Sequence, residues 1–221
     1  MNLYNNTVTY RFNKFIREHF ILPQMRKRLK NKKISILCNN CIGGIVSHEL
    51  GLRFNSPTVN LYFENDDFFF FLENLEYYLS QPLIFREMKD VGVKYPVCSL
   101  GKSGDKPQIV LHFLHYKSFD EASMSWERRK SRINKNNIFV IYTFIDGTNL
   151  KLMKKFDRLS FKNKVAFSEI ACPQYCSCFQ IKGFPNGLGL ISKIQGLIGH
   201  KRMDQFDFVE WFNTGRKRYM K

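Results

Sequence analysis

Between residues 33 and 167 the apolar positions alternate between short unbroken runs and stripes of helical period. Ile34, Ile36 and Leu37 form a run that stops at Asn39-Asn40, and a helical pattern begins after Gly43-Gly44 and ends near Leu50. The spacing predicts a buried strand, a tight polar turn and a helix. Ser56–Phe63 predicts a second strand, and Asn65-Asp66-Asp67 predicts a capped start for a helix over 67–80, with Phe68, Phe71, Leu72, Leu75 and Leu79 facing the core. Pro96–Leu100 reads as a short strand, Gly101–Pro107 as a turn and Ile109–Tyr116 as a further strand. Ser118-Phe-Asp-Glu121 matches a capping box and opens a helix to about residue 133. Asn137–Phe144 and Lys164–Phe167 read as strands flanking a helix that starts at Asn149, and one more helix is expected near Phe206–Phe212.

Strands that alternate with helices argue for βαβ units and an α/β fold with a mainly parallel sheet. The strands near 34–38, 58–63, 109–115 and 138–144 are expected to be neighbours in it. Residues 33–215 read as a single α/β domain and 216–221 as a basic tail. Residues 1–32 read as a basic amphipathic segment. In it Tyr10, Phe12, Phe15, Ile16, Phe20 and Ile21 recur at roughly helical spacing, and Pro23 is expected to break the pattern. Such a segment fits either an interfacial membrane anchor or a helix docked on the domain with a solvated basic face.

Charge changes the picture. Lys and Arg total 35 against 19 Asp and Glu, for a formal net charge of +16. Nucleic acid, an anionic membrane surface and phosphorylated small molecules all fit that excess, as does simple compositional drift. The chain lacks zinc-finger and RNA-recognition signatures, so nucleic acid is the less favoured partner. No apolar run reaches the length of a membrane span and no signal peptide is visible. The expected place is the cytoplasm, peripheral to the inner face of the plasma membrane.

The candidate chemistry centres on the first strand–helix turn. Asn39, Asn40 and the Gly43 and Gly44 amides, at the carboxyl end of a strand and the start of a helix, suit an anion. The glycines also serve a simpler purpose, letting the helix pack closely on the strand. Cys41 is a candidate nucleophile, or else a small residue filling the turn. Cys38 falls at the strand end, the wrong place for the first cysteine of a redox dithiol. His48 and His115 are candidate bases. Arg128, Arg129 and Arg132 share one side of a helix and suit phosphate, unless they form an ordinary solvated face. Cys172, Cys176 and Cys178 do not match common zinc spacings, and no metal is expected.

Several strings occur in a suggestive order: Cys38-Asn-Asn-Cys-Ile-Gly-Gly44, His48-Glu-Leu-Gly-Leu52, Asn55-Ser-Pro-Thr58, Phe71-Leu-Glu-Asn-Leu-Glu-Tyr-Tyr-Leu79, His112-Phe-Leu-His-Tyr116 and Trp126-Glu-Arg-Arg129. Together they resemble a bacterial family catalogued as a domain of unknown function, whose members are usually labelled exopolysaccharide-biosynthesis proteins. The similarity covers about residues 33–215. It implies a three-layer α/β/α fold, Rossmann-like, and a place in capsule or exopolysaccharide assembly, without a known reaction. The expectation is a transferase that moves a glycosyl or acyl group onto a lipid-linked sugar. It would need no cofactor beyond a nucleotide-sugar or acyl-CoA as co-substrate. A non-catalytic polysaccharide-assembly protein is the alternative.

Overall fold

The computed structural model describes residues 7–86, 94–101, 106–184, 187–189, 191–194 and 198–220. Its main sheet has four parallel strands in the order β1 (Ser35–Cys38), β5 (Ile138–Thr143), β6 (Asn163–Ser168) and β7 (Cys178–Gln180). β1 and β5 are in register from Ser35 with Ile138 to Cys38 with Ile141. A second, antiparallel sheet holds β2 (Ile84–Arg86), β3 (Val97–Leu100) and β4 (Ile109–His112) in that order.

Successive residues of a strand point to opposite faces, and here each face has its own core. Leu37, Val140, Tyr142 and Ala166 join Phe68, Phe71, Trp126 and Phe156 in one cluster. Ile36, Cys38, Phe139, Ile141, Val165 and Phe167 join Val46, Met25 and Trp211 in the other. All four residues of β1 are buried, which explains why its sequence is a run rather than an alternation.

Two of the four strands expected side by side are neighbours, β1 and β5. β4 instead pairs with β3 in the small sheet. Only residues 101–108 separate those strands, too few for the dozen or more that a parallel crossover needs. The expected turn within that connection falls partly on residues 102–105, outside the described residues. The segment around 58–63 does run alongside β1 and in the same direction, but it is not a strand of the sheet. Side chains make its contacts: Asn55 Nδ2 donates to the Ile34 carbonyl, and the Thr58 hydroxyl accepts from Cys38 N–H. Asn60 takes a left-handed conformation, φ 65°, which breaks regular pairing. The segment rejoins backbone pairing at Phe63, whose N–H reaches the Asn39 carbonyl at 3.0 Å, and at Tyr62, which bridges to His112.

The expected helix over 67–80 is two helices, α4 (Asn65–Glu73) and α5 (Leu75–Ser80). They divide at Asn74, whose backbone leaves the helical region and whose carboxamide bonds the Phe70 carbonyl. Asp67 does not cap α4; it accepts from Val110 N–H at 3.1 Å and ties the helix to β4. The other caps form. Ser118 accepts from Glu121 N–H at the start of α6 (Phe119–Lys130). Asn149 accepts from Lys151 and Leu152 at the start of α7 (Leu150–Asp157).

α3 (Ile42–Glu49) follows β1, and α8 (Phe208–Thr214) closes the chain. Pro23 does not break the N-terminal helix. α1 (Thr7–Ile16) passes through a π-helical turn, Arg17–Ile21, into α2 (Leu22–Arg28). Pro23 comes just after the π-helical turn, in which Leu22 N–H already reaches back five residues to the Arg17 carbonyl. The irregular turn thus lies where the proline ring would otherwise crowd the helix. Leu22, Met25 and Leu29 belong to the same core as Ile36 and Val46. No helix among the described residues is long and apolar enough to cross a membrane.

Candidate functional site

In parallel sheets, ligands gather at the carboxyl ends of the strands. Two adjoining cavities lie there, one of about 300 Å³ and one of about 330 Å³. Tyr62 and Ile145 line both. The first cavity is polar: Glu64, Asn65, Thr143, Asp146 and Asn149 contribute to its wall. The second is mostly apolar, with Ile42, Ile45, Leu114 and Leu188 beside Asn40 and Cys41. A larger hollow of about 580 Å³ lies between α4 and α7. Its charged groups are Lys151, Lys154, Lys155 and Arg158 opposite Glu73. These groups run along α7 from Lys151, beside Leu152 of the polar cavity, to Arg158, and Lys155 pairs with Glu73 at 4.0 Å. The smaller paired cavities are the ones at the carboxyl ends of β1 and β5.

The first strand–helix turn is held by its own amides. Asn39 Nδ2 donates to the Thr143 carbonyl and its Oδ1 accepts from Thr143 N–H. Asn40 Oδ1 accepts from Ile42 N–H at 3.0 Å and from the Cys38 thiol at 3.4 Å. Gly43 and Gly44 are buried and line neither cavity. A Cβ on Gly43 would meet Cys38 Cβ at 2.9 Å, and one on Gly44 would meet Asn60 Oδ1 and Val59 Cγ1 at 3.1 Å. Close packing of α3 on β1 therefore accounts for both glycines. Cys41 lines the apolar cavity half-buried, and burial pushes its thiol above the ordinary range. Burial pushes Cys38 further, up to about 12.

The candidate bases and arginines fall elsewhere. His48 and His115 are exposed and line neither cavity, although Leu114, next to His115, does. Arg129 is buried, donates to the Val59 carbonyl at 3.2 Å and to the Tyr116 hydroxyl, and stacks over Phe54. Arg128 is exposed, and Arg132 stands half-buried near Arg53, Arg128 and Arg129. The loop after Arg132 bonds Ser35 through Asn134 N–H, at the amino end of β1. The loop after Arg132 thus lies at the amino end of β1, whereas Arg129 lies beside Val59, one residue past the Thr58 hydroxyl that bonds Cys38 N–H. Cys172 is buried and next to Cys178, while Cys176 is exposed.

Three residues outside the candidate set, Tyr62, Tyr95 and His112, are brought together by the structure. His112 stacks on Tyr62, ring centroids 4.3 Å apart, and Tyr95 packs edge-on against His112 at 6.2 Å. The Tyr62 hydroxyl meets the Tyr95 hydroxyl at 3.4 Å. Burial, aided by Arg86 and opposed by Glu64, lowers the His112 pKa and keeps the imidazole neutral near pH 7. Its Nδ1 is buried without a hydrogen-bond partner among the described residues. β4 ends at His112, and His115 lies in the turn that follows it.

Residues 12–213 match a family model described as a domain of unknown function (DUF1919). A Haemophilus influenzae protein described as "Uncharacterized protein" is similar to this chain. The two are 40% identical over 196 residues, covering 88% of this chain and 91% of that protein.

Proposed function

The chain belongs to the DUF1919 family, whose description gives no reaction, and we propose from its cavities that it binds a sugar and transfers a glycosyl or acyl group to or from it. The observation that carries this is Tyr62, an aromatic ring held by His112 and Tyr95 and shared by an acidic, amide-rich cavity and an apolar one. Sugar hydroxyls need acceptors such as Glu64 and Asp146 and amides such as Asn149, while the C–H faces of the ring pack on an aromatic surface. The apolar cavity would take the aliphatic part of an acyl group or lipid carrier. Among the described residues, two carboxylates and no cation line the polar cavity, which disfavours a bare phosphate there.

In this reading the substrate is a nucleotide-activated or lipid-linked sugar, and the process is assembly of a cell-surface polysaccharide such as capsule or exopolysaccharide. Glu64 and Asp146 are the lining groups able to take a proton. The fold is a three-layer α/β/α arrangement of the Rossmann-like kind, supported by the two cores that share β1 and β5. The raised Cys41 thiol and the exposed His48 and His115 favour a second reading, sugar binding without catalysis in polysaccharide assembly.

The test is thermal stabilisation by a panel of nucleotide-sugars, acyl-CoA esters and sugar diphospholipids, followed by product analysis. A sugar-bearing ligand should raise the melting temperature of the native chain, and Glu64→Gln or Asp146→Asn should remove that rise. Equal stabilisation by UDP without sugar, unaffected by either substitution, would reject the sugar reading. Binding without product would favour the assembly role.

A further inference from the structure

The N-terminal helix is mounted with its apolar side outward. At about 100° per residue, Val8, Phe12 and Phe15 fall within about 60° of one another, with Asn13 and Arg17 on the far side. Asn13 and Arg17 face the protein, while Tyr10, on the same side nearer the start of the helix, is exposed. Asn13 Oδ1 accepts from Gly199 N–H, and Arg17 pairs with Glu49 and Asp204, each at 2.7 Å. Gly199, at φ 73°, lets the chain pass so close that a Cβ there would meet the Asn13 carbonyl at 2.6 Å. The solvent-facing side is apolar: Val8 is 72% exposed, Phe12 56% and Phe15 51%. The π-helical turn brings Phe20, five residues on and also exposed, edge-on to Phe15 at 6.3 Å. A helix of a globular protein normally turns such a stripe to the core. Here the buried ion pairs of Arg17 fix the opposite orientation.

Charge selects the occupant of this face. Residues 7–33 hold nine Lys and Arg against a single acid, Glu18. Arg11 and Lys14 are exposed on α1 itself, and Lys27, Lys30, Lys32 and Lys33 are exposed just beyond it. Two copies meeting through this face would press like charges together. A bilayer of anionic lipid offers an apolar layer beneath a layer of opposite charge. We propose that the outer face of α1 is an interfacial docking element for an anionic membrane surface. Phe12, Phe15 and Phe20 enter the acyl boundary while Arg11, Lys14 and the following lysines meet the headgroups. The docked-helix and membrane-anchor readings of this segment are then both satisfied, one on each side of the helix. The inference does not depend on what the cavities bind.

The full chain is mixed with vesicles of phosphatidylglycerol and phosphatidylcholine, or of phosphatidylcholine alone, and sedimented. Binding to the anionic vesicles is expected to exceed binding to the neutral ones by at least about tenfold and to weaken with salt. Combined Phe12→Ser, Phe15→Ser and Phe20→Ser should reduce binding at least about tenfold while the melting temperature holds, since all three rings are exposed. Arg11→Glu with Lys14→Glu should reduce it without touching an aromatic. Wild-type binding by the triple variant, or no preference for anionic vesicles, would overturn the proposal. So would a vesicle-free dimer that the triple variant dissociates, which would assign the face to a second copy.

Discussion

The carboxamide of Asn39 is bonded twice to the backbone of Thr143. Its Oδ1 accepts from the N–H at 3.0 Å and its Nδ2 donates to the carbonyl at 3.2 Å. Asn39 follows the last residue of β1, so its side chain continues the β1–β5 ladder one step after the backbone has turned away. Asn39→Ala would leave both buried Thr143 groups unpaired and should cost about 2–4 kcal/mol. Asn39→Asp keeps an acceptor for the N–H but sets a carboxylate against the carbonyl, so it should rescue at most part of that loss. Denaturant melts of the two variants give the comparison.

Gly43→Ala and Gly44→Ala should differ in severity. The new methyl at 43 would press on Cys38 Cβ at 2.9 Å and Ile36 Cγ2 at 3.2 Å, both in the strand core. About 1–3 kcal/mol of destabilisation is expected there. At 44 the contacts are 3.1 Å to side-chain atoms of Asn60 and Val59. The gain in helix propensity, up to about 1 kcal/mol, offsets part of that crowding. Equal melting temperatures for the two variants would mean that α3 is not pressed on β1 at Gly43.

Cysteine labelling should separate the thiols by burial. Iodoacetamide near about pH 8 should modify the exposed Cys176 first and Cys41 slowly, because only the thiolate reacts. Cys38 and Cys98, each pushed up to about 12 by burial, should stay unmodified in the native chain. Mass spectrometry of a time course reads the order. Rapid, selective alkylation of Cys41 would instead mark an activated nucleophile and revive covalent chemistry at the turn.

The Arg17 cluster makes stability depend on acid. Burial alone would raise the Asp204 carboxyl, but His200 and Arg17 more than offset it and hold the folded-state pKa below the ordinary value. A depressed carboxylate contributes stability above its unfolded pKa and loses it as pH falls through the folded one. Arg17→Met strands Asp204 and Glu49 beside Lys201 and should cost about 3–5 kcal/mol at neutral pH. As pH falls through the carboxylate range, about pH 4 and below, the gap from wild type should narrow, because Asp204 then protonates in both proteins. A gap that stays constant with pH would show that Arg17 acts by packing alone.

Much of the local structure was legible in the sequence because it depends on neighbours along the chain. β1, β3, β5 and β6 lie where apolar runs predicted them, and α6 and α7 begin at the Ser118 and Asn149 caps. The turn at Asn39–Asn40 was legible too, since amides that bond nearby backbone favour such breaks.

What only the tertiary structure decided depends on partners distant in sequence. Whether Ile109–His112 joined the parallel sheet turned on where β3 placed its edge. Whether Thr58–Phe63 became a strand turned on side chains reaching β1. The direction of the α1 stripe is the sharpest case. Its periodicity shows that apolar and polar sides exist, but Glu49 and Asp204, 32 and 187 residues away from Arg17, drew the polar side inward. A buried guanidinium needs its carboxylates more than exposed phenylalanines need cover, and no local pattern in the sequence records that contest.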